Sequence, residues 1–577
     1  MTKKELKFWA AIMALNIIVF LPWYLFSYTE SDFLPLEGLM EGGIYDRFKY
    51  LFNRDNYDLF RLSFDLVLIC ILIYLFRFSH RLSHVVKFAL TYYLIIVIYQ
   101  IYSAFFNLIY QAPEIIYNDF PLLKNGVKIV IENFSWLNVL SLGGFLALVF
   151  IVTKLFTYLA RSLVNIRMGY FSKAIIALIL LFIFTGLIRY RIKTKPSLAV
   201  QFVAASIWNN VKRSLELKET VEKIDYDDFY ELNDQYDFRF DKNRPNIIIV
   251  FIESYGRVLL DHKDLYLSYQ KTMLEKQSKL ALKDFFGMSA LSTAPVTGGG
   301  SWLSYTTFSV GYRLHLQSLF FNFLKNKEFL KYRHLYKWLK HQGYKNYRLN
   351  SQYDENKFSI PWNQYTSFYA VDEWVRFKNL DYQGILYGFG PSPPDQYALN
   401  YTLELIRNKE QDPFSLFFIT KNSHTPFLLP HTTMKDWSAW NELRGENQPY
   451  RFFQKPTLDN YEKAINYQLD YIFQIINNSS QNDLFIVIGD HQPPALATEG
   501  FETPVHIISK DSAFIKGFEN YGLTSGLLPD KTKTPLKHEG LYSMLLRELK
   551  RNYSSDSVSL PDYLPNGIIF GGDQDTK

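Results

Sequence analysis

Two short strings hold residue types able to grip a cation. Asn246–Ile252 is an apolar, β-branched run that ends in Glu253, Ser254, Tyr255 and Gly256. Leu484–Ile488 is a second such run, and Gly489, Asp490, His491, Gln492 and Pro493 follow it. Runs of this kind read as buried parallel strands, and open α/β sheets keep their chemistry at the carboxyl ends of their strands. Brought to one edge, Glu253, Asp490 and His491 offer two carboxylates and an imidazole, which suits Zn²⁺, Mn²⁺ or a similar divalent ion. Taken singly, Glu253 also fits a helix cap and Asp490-His491 an ordinary turn.

Between the two strings stands Thr297, then Gly298, Gly299, Gly300 and Ser301, with a helical pattern running on to Gly311. This arrangement exposes the Ser301 hydroxyl at a helix N-terminus, where free backbone N–H groups attract an anion. A hydroxyl that also ligates the ion becomes a nucleophile for a phosphate or sulfate ester. Thr297 is the rival nucleophile, and a plain N-cap is the other reading of Ser301. His424 follows the run Ser415–Thr420. From a strand end it can hold a non-bridging oxygen or protonate a leaving group, although a structural loop histidine has the same signature.

The elements that must position these residues are legible as alternation. Strand-like runs recur at Ile247–Ile252, Tyr344–Leu349, Ser415–Thr420, Leu484–Ile488 and Val505–Ile508, and helical patterns at Gln396–Lys409 and Tyr461–Asn477 lie among them. The expected fold class is α/β, a mostly parallel sheet sandwiched by helices, over residues 244–577. Residues 191–243 form a connector whose Ile207–Lys218 stretch has amphipathic helical spacing suited to a membrane surface.

Residues 1–190 are a different object. Five runs are long and apolar enough to span a bilayer: Leu6–Phe26, Leu59–Phe78, Val85–Leu108, Leu137–Leu159 and Phe171–Ile188. Lys3, Lys4 and Lys7, then Arg77, Arg81 and Lys87, then Arg161, Arg167 and Lys173 mark cytoplasmic ends. The loops Ser27–Tyr57 and Gln111–Trp136 are the outward ones. Five spans with a cytoplasmic N-terminus put residues 244–577 outside the plasma membrane. Arg189, Arg191, Lys193 and Lys195 oppose that orientation and could instead meet anionic headgroups.

A net charge of +6 on 577 residues, with no basic block interleaved with aromatics, excludes nucleic acid as a partner. The single cysteine, Cys70, lies inside the second apolar run. There is then no disulfide framework and no cysteine-based zinc site.

In Asn246–Gly256, Gly298–Gly311, Ser423–Pro426 and Gly489–His491 the chain resembles the sulfatase branch of the alkaline phosphatase superfamily. Within it, the layout is similar to membrane-anchored lipoteichoic acid synthases and lipid A phosphoethanolamine transferases, which place five spans before an outward catalytic domain. The resemblance implies metal ligation by Glu253, Ser301, Asp490 and His491, with Ser301 (or Thr297) as nucleophile and His424 on the substrate. It implies one divalent ion (Mn, Zn, Mg or Ca), a membrane lipid donor and an envelope glycan or lipid acceptor. The implied activity is transfer of a phosphoglycerol or phosphoethanolamine head group. Sulfate- or phosphate-ester hydrolysis, and a non-catalytic lipid sensor or partner-binding role, are the alternatives.

The chain departs from the pattern in four respects. Transferases of this group normally use threonine, which keeps Thr297 a candidate nucleophile. Soluble sulfatases pair two acids where Glu253-Ser254 stands, and Ser301-Trp302-Leu303-Ser304 lacks the Pro-Arg context for formylglycine. The phosphoethanolamine transferases typically carry disulfides, which this chain cannot form.

Overall fold

The computed structural model describes residues 2–26, 43–47, 61–110, 113–123, 136–165, 168–193, 200–224, 229, 236–240, 244–353, 362–388, 390–411, 413–428, 430–449, 454–479, 482–496, 500–555 and 559–569. Most of the Ser27–Tyr57 and Gln111–Trp136 loops, together with Lys195 and much of the acidic stretch Asp225–Asp241, lie outside the described residues. The chain divides into two compact units, Met1–Leu217 and Lys218–Lys577.

The first unit holds helices α1 (Lys3–Phe26), α2 (Phe64–Leu75), α3 (Leu82–Tyr110), α4 (Trp136–Asn165), α5 (Tyr170–Lys193) and the start of α6 (Val203–Glu222). Three stretches among the described residues are long and apolar enough to cross a membrane: Lys3–Phe26, Leu82–Leu108 and Leu142–Asn165. The expectation of five spans is therefore met only in part. At 1.5 Å per residue, the 12 residues of α2 rise about 18 Å, against about 30 Å of hydrocarbon. The helix starts late because Arg61–Ser63 runs extended instead. Leu62 and Ser63 pair with Val200 and Gln201, and the Ser63 hydroxyl caps Leu66 N at 3.2 Å. The described apolar part of α5 ends at Phe184 and is likewise a shorter helix.

Helix α6 is held from both ends of its first half. The Asp65 carboxylate accepts from Val203 N at 2.7 Å and Ala204 N at 3.2 Å, which satisfies two of its N-terminal donors. Asn210 exchanges bonds with the backbone at Glu114 and Ile116, both at 2.9 Å.

The second unit is built on a nine-stranded sheet. Its strands are β1 (Asn246–Ile252), β2 (Phe286–Thr293), β3 (Lys345–Asn350), β4 (Glu373–Arg376), β5 (Phe414–Ile419), β6 (Asp483–Gly489), β7 (Glu502–Ser509), β8 (Thr524–Ser525) and β9 (Leu536–Lys537). The order across the sheet is β8-β2-β7-β6-β1-β5-β3-β4, with β9 beside β2. The run from β6 to β4 is parallel, and its central strands β6, β1 and β5 are the near-continuous apolar ones expected of strands buried on both faces. The rest of the sheet is mixed: β7 is antiparallel to β6 and β2, and β8 is antiparallel to β2.

Five helices position the site: α7 (Lys263–Ala281), α8 (Ser301–Val310), α9 (Asp395–Lys409), α10 (Leu458–Asn477) and α11 (His538–Tyr553). Alternate side chains of β1 serve opposite faces. Ile248, Val250 and Ile252 join one core with Leu265 and Tyr269 of α7, Leu403 of α9, and Ile465 and Leu469 of α10. On the other face Phe251 meets Phe308 of α8, ring centres 5.7 Å apart. Burying each such side chain contributes about 1.5–3 kcal/mol, so the central strand is fixed from both sides. Thr457 starts α10 by accepting from Asn460 N at 3.2 Å. Its apolar face, at i, i+3 and i+4 spacing, lies under the loop that follows β1.

Candidate active site at the carboxyl edge of the parallel strands

Parallel pairing sets Gly489 of β6 opposite Ile252 of β1. The next residues, Glu253 and Asp490, therefore leave the sheet side by side. Asp490 Oδ1 accepts from Ser254 N and from His491 N, both at 2.7 Å. Ser254 adopts φ 62°, a left-handed conformation that costs a residue with a side chain of order 1 kcal/mol or more. That turn brings its N–H round to Asp490. Tyr461 of α10 fixes the turn by donating to Ser254 O at 3.0 Å and accepting from Gly256 N at 3.1 Å. A Cβ on Gly256 would stand 2.3 Å from Gln492 Oε1 and 2.7 Å from Pro493 Cδ, so the two strand-end loops touch only because a glycine is there.

Glu253, Asp490 and His491 are buried, and one ligand atom from each lies within 4.8 Å of the others. His491 Nε2 is 3.4 Å from Glu253 Oε1 and 3.3 Å from Asp490 Oδ2. The other ring nitrogen, Nδ1, is 2.8 Å from Gln492 O, which assigns it the proton and leaves the Nε2 lone pair facing the carboxylates. Ser301 joins the group from α8. Its Oγ donates to Glu253 Oε2 at 2.9 Å and lies 3.4 Å from His491 Nε2. Gly300, at φ 86°, turns the chain into α8 and sets Ser301 in its first turn.

These residues fit a divalent cation. Asp490 Oδ2 is buried with no hydrogen-bond donor, an orphan that a cation would satisfy. Burial and the neighbouring Glu253 charge push the Asp490 carboxyl well above the usual range. Burial also raises Glu253, yet its neighbours His491, His424, the Ser301 hydroxyl and Lys421 outweigh that and hold it below its ordinary value. Two buried carboxylates facing one imidazole lone pair are unfavourable until positive charge enters between them.

The loop after β5 closes the site. Thr420 Oγ1 accepts from Glu253 N at 3.0 Å, and Ser423 Oγ donates to Glu253 O at 2.7 Å. His424 is half-buried there, with Nδ1 2.9 Å from Thr425 O. Burial lowers its pKa, and the Glu253 charge offsets only part of that. Of the residues singled out from sequence, Glu253, Asp490, His491 and Ser301 converge, and His424 lies within electrostatic reach of Glu253. Thr297 makes no hydrogen bond to them among the described residues, although Gly298 N beside it donates to Gln492 O at 3.2 Å. Thr297 Oγ1 is buried without a hydrogen-bond partner among the described residues.

Three residues carried too weak a signal to be read from the chain. Asp395, at the start of α9, accepts from Lys421 N at 2.8 Å, Asn422 N at 2.7 Å and Gln468 Nε2 at 2.8 Å, and so fixes the loop that bears His424. Lys421 sits at the β5 strand end, three positions before His424. Arg348 of β3 is buried among aromatic rings, its guanidinium carbon 4.2 Å from the Tyr369 ring centre and 4.4 Å from that of Phe417. A lysine just after a strand and an arginine within a polar one both read as ordinary solvated charges in the chain alone.

The second unit is thus a mixed α/β sheet with two acids, an imidazole and a hydroxyl gathered at its carboxyl edge. Residues 245–520 match the family model described as Sulfatase, and this part of the chain is a sulfatase-family enzyme domain. No curated protein matches the sequence. Solved structures similar to the chain include the lipoteichoic acid synthase LtaP from Listeria monocytogenes, at 13% identity over 59% of this chain and 80% of that one, TM-score 0.36. The phosphoglycerol transferase GacH from Streptococcus pyogenes, in complex with sn-glycerol-1-phosphate, is 16% identical over 60% and 89%, TM-score 0.35. The soluble domain of lipooligosaccharide phosphoethanolamine transferase A from Neisseria meningitidis is 12% identical over 58% and 97%, TM-score 0.34.

Proposed function

We propose that the protein is a metal-dependent transferase. It moves a phosphoglycerol- or phosphoethanolamine-type head group from a phospholipid to an envelope glycan or lipid through a covalent Ser301 ester. The observation that carries this reading is the Ser301 hydroxyl, placed at a helix N-terminus and in contact with both Glu253 and His491. The three apolar helices of the first unit favour a lipid donor over a soluble ester. The orientation we favour has the N-terminus cytoplasmic, the domain starting near residue 244 outside the plasma membrane, and residues 191–243 as the connector.

Glu253, Asp490, His491 and Ser301 would hold the cation, which supplies charge neutralisation and a lowered hydroxyl pKa. In the first displacement the Ser301 Oγ–P bond forms as the bond from phosphorus to the diacylglycerol oxygen breaks. The Oγ proton is already directed at Glu253 Oε2, and the diacylglycerol oxygen leaves with a proton from water. Backbone N–H groups at the start of α8 face the transferred anion. In the second displacement an acceptor hydroxyl attacks phosphorus, and the Ser301 ester bond breaks. His424, kept neutral by burial, is suited to take the proton of that hydroxyl.

The full chain incubated with labelled phosphatidylglycerol or phosphatidylethanolamine tests this. Head-group release that needs a divalent ion, and a Ser301 adduct of matching mass, are expected. A soluble chromogenic ester turned over faster than either lipid would move the assignment to a hydrolase. A folded protein that binds no metal would move it to a non-catalytic role.

A further inference from the structure

We infer, on the reading of Asp490 and His491 as metal ligands, that His538 is a positioning residue for that pair. Its imidazole fixes the plane of the Gly489–Asp490 peptide, from which both side chains leave the sheet.

The need for such a residue follows from the strand pairing. Asp490 N donates to Ile252 O of β1 at 3.2 Å. Successive residues of a strand turn their backbone polar groups to opposite neighbours, so Gly489 turns its carbonyl toward β7. The antiparallel register there pairs Ile488 with Val505, and one further step sets Gly489 opposite Pro504. Proline has no N–H, so β7 cannot supply the ladder bond to Gly489 O. Glycine is also the residue that restrains its own backbone least. The last carbonyl before the two ligands therefore has to be fixed by side chains.

Two side chains do so. Thr503 Oγ1 donates to Gly489 O at 2.9 Å, and His538 Nε2 lies 3.1 Å from the same oxygen. A carbonyl oxygen only accepts, so Nε2 carries the proton. Nδ1 is then the acceptor, and the Ser292 hydroxyl donates to it at 2.9 Å. Ser292, Thr503 and His538 are all fully buried. Burial lowers the His538 pKa to about 3, so the ring stays neutral and Nδ1 keeps its lone pair for Ser292. His538 is itself anchored where two elements join. It is the first residue of α11, and Lys537 before it pairs with Thr293 of β2. The imidazole thus lets β2 set how the end of β6 is turned. A residue needed only for packing would be apolar here, without two ring nitrogens to desolvate.

Hydrogen exchange of metal-free protein and Mn²⁺ calorimetry, both on the detergent-solubilised full chain, decide the matter. Wild type is compared with His538→Leu and His538→Gln; glutamine keeps an N–H for Gly489 O and leucine has none. His538→Leu is expected to weaken Mn²⁺ binding about tenfold or more. It should also speed deuterium uptake at the Asp490 and His491 amides beyond any change in the rest of β6. His538→Gln should recover most of both. Wild-type Mn²⁺ affinity in His538→Leu overturns the inference even if the melting temperature falls, because that marks a merely structural residue. Equal losses in His538→Leu and His538→Gln overturn it too. If Mn²⁺ fails to bind wild type, the reading of the ligands falls, while the exchange arm still decides whether His538 holds the peptide. Should His538→Leu not fold, His538→Phe replaces it in the same comparison.

Discussion

At the scale of single residues the site makes opposite demands on two hydroxyls. Ser301 Oγ is bonded into the acid and imidazole group, whereas Thr297 Oγ1 is buried and bonded to nothing described. Ser301→Ala is expected to lower head-group release by about 10³-fold or more, as loss of a nucleophile does. Thr297→Val removes an orphaned hydroxyl and is expected to leave turnover and melting temperature close to wild type. Asp490 supplies a second contrast. Its carboxyl is buried beside Glu253 and pushed well above the usual range. In metal-free protein Asp490→Asn should therefore melt higher than wild type, because it relieves like-charge repulsion. In the presence of Mn²⁺ the order should reverse, because the variant has lost a ligand. Thermal melts with and without chelator read both.

At the scale of elements, turns and caps decide whether these residues meet. A Cβ on Gly300 would meet nothing nearer than 3.5 Å, so Gly300→Ala carries only the backbone cost of φ 86°, about 1 kcal/mol. It is expected to reduce turnover more than stability, since it turns Ser301. Gly256→Ala forces a Cβ into Gln492 and Pro493 and should be severely destabilising by urea titration. Asp395 links the start of α9 to the loop after β5, and burial raises its carboxyl to about 6 from 3.8. A raised acid contributes stability that is complete below pH 4 or so and lost as pH climbs through about 6. The loss should approach about 3 kcal/mol. Asp395→Asn should remove that pH-dependent part, so wild-type minus variant stability falls between pH 4 and 7.

The same scale shows what a reader of the chain alone can reach. β1, β5 and β6 announce themselves as apolar runs because a parallel strand is buried on both faces. The ligands at their ends could be picked out for that reason. β2, Phe286-Gly-Met-Ser-Ala-Leu-Ser-Thr293, has small and hydroxyl residues and no such run, so the antiparallel half of the sheet was not foreseen. The run Leu59–Phe78 reads as a full span by hydropathy, but a buried Arg61 and the capping Ser63 interrupt it. Asp395 gave no signal, because a carboxylate that accepts from backbone amides of a remote loop looks like any helix-start acid.

At the scale of the whole molecule, the proposed lipid donor assigns the two units different tasks, which can be tested apart. Deleting the first unit should leave turnover of a soluble phosphodiester within a few-fold of the full chain, but cut the rate on vesicle-borne phospholipid by about 10² or more. The tether raises the effective concentration of its donor. Assays of the full and the shortened chain on both substrates check this.

The pairing of β1 with β6 has a consequence for how the enzyme matures. The partners in this rung lie 236 residues apart in the Ser254–Asp490 bond. A nascent polypeptide therefore exposes Glu253 and Ser301 long before Asp490 and His491 have been synthesised. Slippage of β6 by a single position would aim Asp490 at the opposite face of the sheet. If the proposed ion binds there, its loading would report correct long-range registration, and a chelator present during biogenesis should trap chains that the same chelator leaves intact once assembled.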